Sequence, residues 1–158
     1  MSAVKARLPE TSLEEPARQL SVTGSYDLVV AGGGIAGAAA AVAAARAGVS
    51  VCLLERTFGL GGLATLGHVI VWLPICDGRG RQVAAGLAEE MLRLSVADLG
   101  RERRTARFIG IPGCWQPGGD RAARAAERYQ AHFNPSSYLL ALEQWVLEAG
   151  VHLLYDTR

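Results

Sequence analysis

Residues 27–56 read D-L-V-V-A-G-G-G-I-A-G-A-A-A-A-V-A-A-A-R-A-G-V-S-V-C-L-L-E-R. Few folds accommodate this order of short apolar run, spaced glycines, alanine-rich stretch and second apolar run ending in an acid. Leu28, Val29, Val30 and Ala31 suit a central parallel strand buried on both faces. Gly32, Gly34 and Gly37 follow in the spacing G-x-G-x-x-G. Gly32 permits a tight turn out of the strand, Gly34 has no Cβ to keep a ligand from the backbone, and Gly37 lets the next helix lie close to the sheet. The alanines predict a helix over residues 35–47, with Gly48 as its stop. Val49, Val51, Leu53 and Leu54 then read as a second strand, closed by Glu55.

A helix that begins directly behind a glycine turn offers free N–H groups and the positive end of its dipole, which favour an anion. With an acid at the end of the second strand, the anion is the pyrophosphate of a dinucleotide. Glu55 would accept hydrogen bonds from the adenosine ribose hydroxyls, and its charge would repel a 2′-phosphate, which argues against NADP. A plain Gly/Ala helix hairpin is the bland alternative, but it requires neither the strand before the turn nor the acid after it. A membrane span is a second alternative, since residues 28–45 carry no charge. Glycine and alanine insert poorly, and Asp27 and Arg46 bracket the run tightly.

A second glycine loop, Phe58-Gly59-Leu60-Gly61-Gly62-Leu63-Ala64-Thr65, comes after the acid. A nicotinamide unit needs no such loop, so an NAD-dependent dehydrogenase is the lesser reading. The longer FAD needs a second close backbone approach along its ribityl and pyrophosphate, and Thr65 could add a hydroxyl. The plain alternative is an irregular surface loop.

The segments D-L-V-V-A-G-G-G-I-A-G, L-L-E-R and G-L-G-G-L-A-T-L-G resemble the N-terminal part of FAD-dependent oxidoreductases of the glutathione-reductase-like superfamily. Segments beginning at Asp77, Phe133 and Glu148 are similar to a heterodisulfide-reductase-A-like group within it, so the resemblance covers about residues 25–158. It implies an α/β, Rossmann-like FAD/NAD(P)-binding three-layer fold with a parallel sheet, and FAD as cofactor. By the same resemblance Gly32, Gly34 and Gly37 would face the pyrophosphate and Glu55 the adenosine ribose. Arg56 would lie near the adenosine or the phosphates, and Gly61, Gly62 and Thr65 along the ribityl and pyrophosphate. Two features of the superfamily are missing: the later A-T-G-D-like segment that closes over FAD, and the iron–sulfur cysteine clusters of some relatives.

With 158 residues the expectation is an N-terminal portion of a longer enzyme. Residues 1–24 would be a mobile tail and residues 25–158 an incomplete FAD-binding domain, with 100–133 starting a substrate-facing insertion. A net charge of +1 implies no strongly charged partner, so the expected partner is a small-molecule substrate, with neither nucleic acid nor membrane. Cys52, Cys76 and Cys114 form no C-x-x-C, suit a reducing cytoplasm and predict no metal site. Cys52 reads as a buried hydrophobe, while a redox or nucleophilic role stays open for Cys76 and Cys114. The tail has no signal-peptide core.

Further along, residues 68–73 form an apolar run containing His68, which could touch a flavin or be satisfied by backbone in a buried strand. Asp77-Gly78-Arg79-Gly80 is a turn. Val83, Leu87, Met91 and Leu94 predict an amphipathic helix over about 82–99, ended by Gly100. Arg101 to Arg107 read as a solvated face, with a contact to an anionic substrate or a nucleic-acid patch as alternatives. Asp120 would cap a short polar helix reaching about Tyr129. A helix from Asn134 to about Ala149, stopped by Gly150, leads into a third parallel strand over 151–155, beside the second. No catalytic residue is assigned; His68 and Arg79 are no more than candidates. A non-catalytic dinucleotide-binding fragment is the alternative to the enzyme.

Overall fold

A computed structural model describes residues 16–97 and 109–157. The arginine run 101–107, the helix end at Gly100 and the first fifteen residues of the tail lie outside the described residues. The chain is α/β and Rossmann-like. Three parallel strands, β1 (Leu28–Ala31), β2 (Val51–Leu54) and β5 (His152–Leu154), lie in the order β1-β2-β5. Val29 pairs with Cys52 and Cys52 with His152, so the third strand lies beside the second as its sequence predicts. Between these strands come α1 (Ile35–Arg46), β3 (Val71–Trp72), α2 (Leu87–Ser95), β4 (Ala131–His132) and α3 (Pro135–Glu148).

Helix α1 buries Ala38, Ala41 and Val42, an i, i+3, i+4 stripe of small side chains that brings its axis close to the sheet. Gly48, at φ 88°, donates its N–H to the Ala45 carbonyl just past the helix end. Helix α3 starts where predicted. Asn134 Oδ1 accepts from Ser136 N at 2.9 Å and from Ser137 N at 3.4 Å, with Pro135 in the first turn. Val30, Val51, Leu53 and Leu153 share one core with α1 and α3, so both helices cover the same face of the sheet. On the other face Val29 is 52% and Leu154 38% exposed. The described residues therefore build two of the three expected layers.

Three expectations change. Strand β1 is not central among the described residues: it has a neighbour on one side only, and the buried central strand is β2, with Val51, Cys52 and Leu53. Helix α2 begins at Leu87 rather than near Gln82, because Gly86 at φ 64° breaks the backbone before it. Val83, counted on the apolar stripe, lies outside the helix and is exposed. Asp120 does accept from Ala122 N at 2.9 Å, but the element it starts is a single 3-10 turn, Ala122–Ala125, and the chain then extends into β4. Strand β4 pairs antiparallel with β3, Val71 opposite His132. A second small core, containing Ile75, Leu92, Trp115 and Tyr129, gathers there.

The three helices are tied at one point. Arg46, ending α1, makes a two-pronged contact with Glu90 of α2 at 2.7 and 2.6 Å, and Trp145 Nε1 of α3 donates to the same carboxylate at 2.7 Å. The Arg46 hydrogen bonds, helped by Trp145, hold the Glu90 carboxyl at about 2, below its ordinary 4.5. A depressed carboxyl contributes stability that is fully present above the unfolded pKa and is lost as pH falls through the folded one. The contribution of Glu90 is thus expected to fade between pH 4.5 and about 2. Thermal unfolding of the parent and of Glu90→Gln across this window checks it: the gap in Tm between them should narrow as pH falls, and a constant gap would refute the link.

Candidate cofactor-binding site

The site forms where β1 turns into α1. Gly32 leaves the strand at φ 104°, a region that disfavours any side chain, and donates its N–H to the Leu54 carbonyl at 2.7 Å. Gly34 is the N-cap of α1 and offers no side chain to its first turn, which also contains no acid. The amides there are left to an outside anion. A Cβ on Gly32 or Gly34 would meet nothing within 4 Å, so the backbone is open to approach at both positions. A Cβ on Gly37 would stand 1.8 Å from the Gly32 carbonyl oxygen. Gly37 is thus required by helix–strand packing, and it serves the anion by bringing the helix end forward.

The second glycine loop lies directly against the first. Gly61 N donates to the Gly33 carbonyl at 2.8 Å, and Gly34 and Gly61 form an isolated parallel bridge. A Cβ on Gly62 would come within 3.5 Å of Gly34 Cα. Gly61 and Gly62 hold φ values of 96° and 54° and lead into a 3-10 turn, Gly62–Ala64. Thr65 has a different task from the one expected. Its hydroxyl donates to the Leu60 carbonyl and its side chain is buried, so it braces the loop from beneath instead of reaching outward.

Glu55 is fastened at the end of β2. One carboxylate oxygen accepts from Gly33 N at 2.6 Å, and the other from Thr57 N and Thr57 Oγ1, both at 2.7 Å. Burial opposes ionisation, but the hydrogen bonds from Thr57 and Gly33 outweigh it and hold the carboxyl below its usual range. Each carboxylate oxygen has more than one lone pair, so acceptor capacity remains for a ligand hydroxyl. A cleft of about 410 Å³ opens beside it, lined by Ala31, Gly32, Leu54, Glu55, Arg56 and Thr157. It sits at the carboxyl ends of β1 and β2, where open parallel sheets take their ligands.

Beyond the second loop lies an apolar slot of about 190 Å³, with Ile35, Leu63, Val69, Trp72 and Phe133 in its walls. Trp72 Nε1 is buried with no hydrogen-bond acceptor among the described residues. Cleft, glycine strip and slot fit an elongated dinucleotide with an aromatic ring system at its far end.

The buried-strand reading of His68 does not hold, and Arg79 falls away from this site. His68 is exposed and at φ 56°, ahead of β3 and not within a buried strand. Arg79 lies on the exposed turn in which Asp77 Oδ1 accepts from Arg79 N and Arg81 N, and it lines neither the cleft nor the slot. Cys52, Cys76 and Cys114 are all buried and unpaired, and Cys76 Sγ accepts from Tyr129 N at 3.2 Å. No His/Cys/Asp/Glu group able to hold a metal occurs among the described residues. No described helix is long and apolar enough to cross a membrane.

Three residues matter that the motif did not single out. Gly33 donates to Glu55, and a Cβ there would lie 2.4 Å from Leu60 Cδ2. Thr57 orients the acid, and Leu60 is the buried plug between the loops. The run of three consecutive glycines was a visible signal for Gly33; nothing local distinguished Thr57 or Leu60.

Gly37→Ala should cost stability by about 1–3 kcal/mol or more, because the Gly32 carbonyl must move. Gly34→Ala, facing open space, should be close to neutral. Chemical denaturation of the two variants compares them directly, and equal losses would contradict these roles.

A family model described as FAD dependent oxidoreductase matches residues 27–158. A thioredoxin reductase of Ureaplasma parvum serovar 3 is 40% identical over 72 residues, which cover 46% of this chain and 23% of that protein. The chain thus spans under a quarter of the length of that relative. Among solved structures, Thermovibrio ammonificans THI4 aligns over 82% of this chain and 38% of its own, at 16% identity and a TM-score of 0.43. The 3-ketosteroid-delta4-(5alpha)-dehydrogenase of Rhodococcus jostii RHA1 aligns over 84% and 38%, at 26% identity and a TM-score of 0.41. The family match takes in both glycine loops, Glu55 and the third strand, and on it the chain belongs to the FAD dependent oxidoreductases, with FAD as its cofactor.

Proposed function

We propose that this chain holds FAD along the strip made by its two joined glycine loops, as the cofactor-binding part of an oxidoreductase acting on a small molecule. The observation that carries this reading is the junction itself: Gly61 N bonded to the Gly33 carbonyl, with Gly62 against Gly34. It leaves a path along the backbone with no side chain between the acid-bound end and the apolar end. The adenosine would lie in the cleft, with its ribose on Glu55 and Arg56 at its rim. The pyrophosphate would cross Gly32 and Gly34 beside Gly61 and Gly62. The flavin ring would enter the slot, with Trp72 and Phe133 in its wall. Thr65 and Gly37 would act by shaping the strip.

Bound FAD supplies the redox chemistry, taking up an electron pair as hydride or as electrons. The chain's own groups bind and orient it and keep water from its apolar end. The heterodisulfide-reductase-A-like group is the finer assignment, supported by the segments from Asp77, Phe133 and Glu148. The reading expects neither nucleic acid nor membrane as partner; a net charge of +1 supports this only in giving no strong electrostatic pull toward either. Three unpaired cysteines support a cytoplasmic setting.

Titration of the purified chain with FAD, read by flavin fluorescence with NAD as competitor, tests the proposal. Saturable binding that NAD does not displace is expected. Gly34→Val should abolish it, because a branched side chain would fill the open approach. Glu55→Ala should weaken it by about 1.5–3 kcal/mol through loss of charge-assisted hydrogen bonds. Undiminished affinity in Gly34→Val would refute the site, and a folded parent chain that binds no FAD would leave the fragment reading in its place.

A further inference from the structure

A second cleft, of about 460 Å³, opens between α2 and the 3-10 turns at 113–115 and 122–125. It shares no residue with the glycine strip, the adenosine cleft or the apolar slot. Its size falls within the range of small-molecule sites. Three arginines, Arg93, Arg121 and Arg124, line it against a single carboxylate, Glu89.

The arginines are not equivalent. Arg93 is committed to Glu89, at 2.8 Å through Nη2 and 3.0 Å through Nε. Glu89 is also satisfied by Gln82 Nε2 at 2.5 Å and by the Tyr129 hydroxyl at 2.7 Å. Arg121 and Arg124 form no ion pair among the described residues. Among the described residues, their charge therefore lines the cleft without an ion-pair partner. Arg124 is held in place: its Nε donates to the Cys114 carbonyl at 2.8 Å and its guanidinium lies 4.8 Å from the Trp115 ring centroid. Those contacts leave both Nη nitrogens for a ligand.

The floor beneath is rigid. Trp115 stacks on Tyr129 with centroids 4.9 Å apart and planes at 14°, and its Nε1 donates to the Glu127 carbonyl at 2.8 Å. Both rings are almost fully buried. On the rim, Gly118 at φ 78° would place a Cβ in open space, so the backbone is accessible there. A guanidinium fixed by a ring and a carbonyl loses little freedom on binding, and its planar fork suits the oxygens of carboxylate or phosphate.

We propose that this cleft binds a small molecule through a carboxylate or phosphate group, with Arg121 and Arg124 as its anion-holding residues. The assignment stands independently of the FAD reading. Calorimetric titration with succinate and, separately, with inorganic pyrophosphate tests it and distinguishes the two anion chemistries. One of the two is expected to saturate at one site. Arg124→Gln should weaken it about tenfold or more. Arg121→Gln, whose side chain makes no hydrogen bond or ion pair among the described residues, should fold as the parent does and still weaken binding severalfold.

Gly34→Val closes the glycine strip and should leave this binding intact. Saturation by neither probe overturns the proposal, as does unchanged affinity in Arg121→Gln. Loss of the binding in Gly34→Val overturns it too, since the anion would then have occupied the strip. Failure to bind FAD would leave it untouched.

Discussion

Gly37 meets the carbonyl of Gly32 at a distance that no Cβ could share, and much of the site depends on that approach. It sets the start of α1 tight against the end of β1, so the first-turn amides stand beside the strand ends where a ligand arrives. The same closeness runs through neighbouring contacts. Gly33 gives its N–H to Glu55 and its carbonyl to Gly61, so one residue ties the acid and the second loop to the first. Replacing any of these close approaches by van der Waals contacts between side chains would move the loops apart.

The rest of the described chain supports this junction from behind. Small side chains on α1 let it sit low on the sheet, and α3 packs over the same face with Tyr138, Leu142 and Val146. Arg46, Glu90 and Trp145 join the three helices at the far end of α1 from the glycines. The antiparallel pair β3–β4 brings Trp72 and Phe133 to the wall of the slot, so a segment distant in sequence completes the apolar end of the site. Uncommitted charge collects elsewhere, at Arg121 and Arg124, where the second core supplies a buried aromatic floor.

Much of this was legible because it rests on local rules. The G-x-G-x-x-G spacing, the alanine helix, Gly48 and the cap at Asn134 each act within a few residues of themselves, and the structure places these elements as read. Expectations failed where periodicity was read without its context. Val83 matched the apolar stripe of α2, but the positive φ of Gly86 separates it from the helix. Asp120 accepts from Ala122 N as a local turn, yet the segment after it forms only a single 3-10 turn before β4. Thr65 belonged to the right loop, but burial turned its hydroxyl inward onto Leu60.

The sequence by itself determined the strand–glycine–helix–strand unit, the acid and the class of ligand, since glycine tolerance, helix capping and apolar runs are properties of neighbouring residues. Only the tertiary structure decided that the two glycine loops touch and that Thr57 and Gly33 fasten Glu55. It also decided that Trp72 buries an unanswered donor, and that Arg121 and Arg124 share a cleft with no ion pair of their own among the described residues. Those relations join residues far apart in the chain. They arise from packing and from the demand that buried polar groups find partners, neither of which is written into a local pattern.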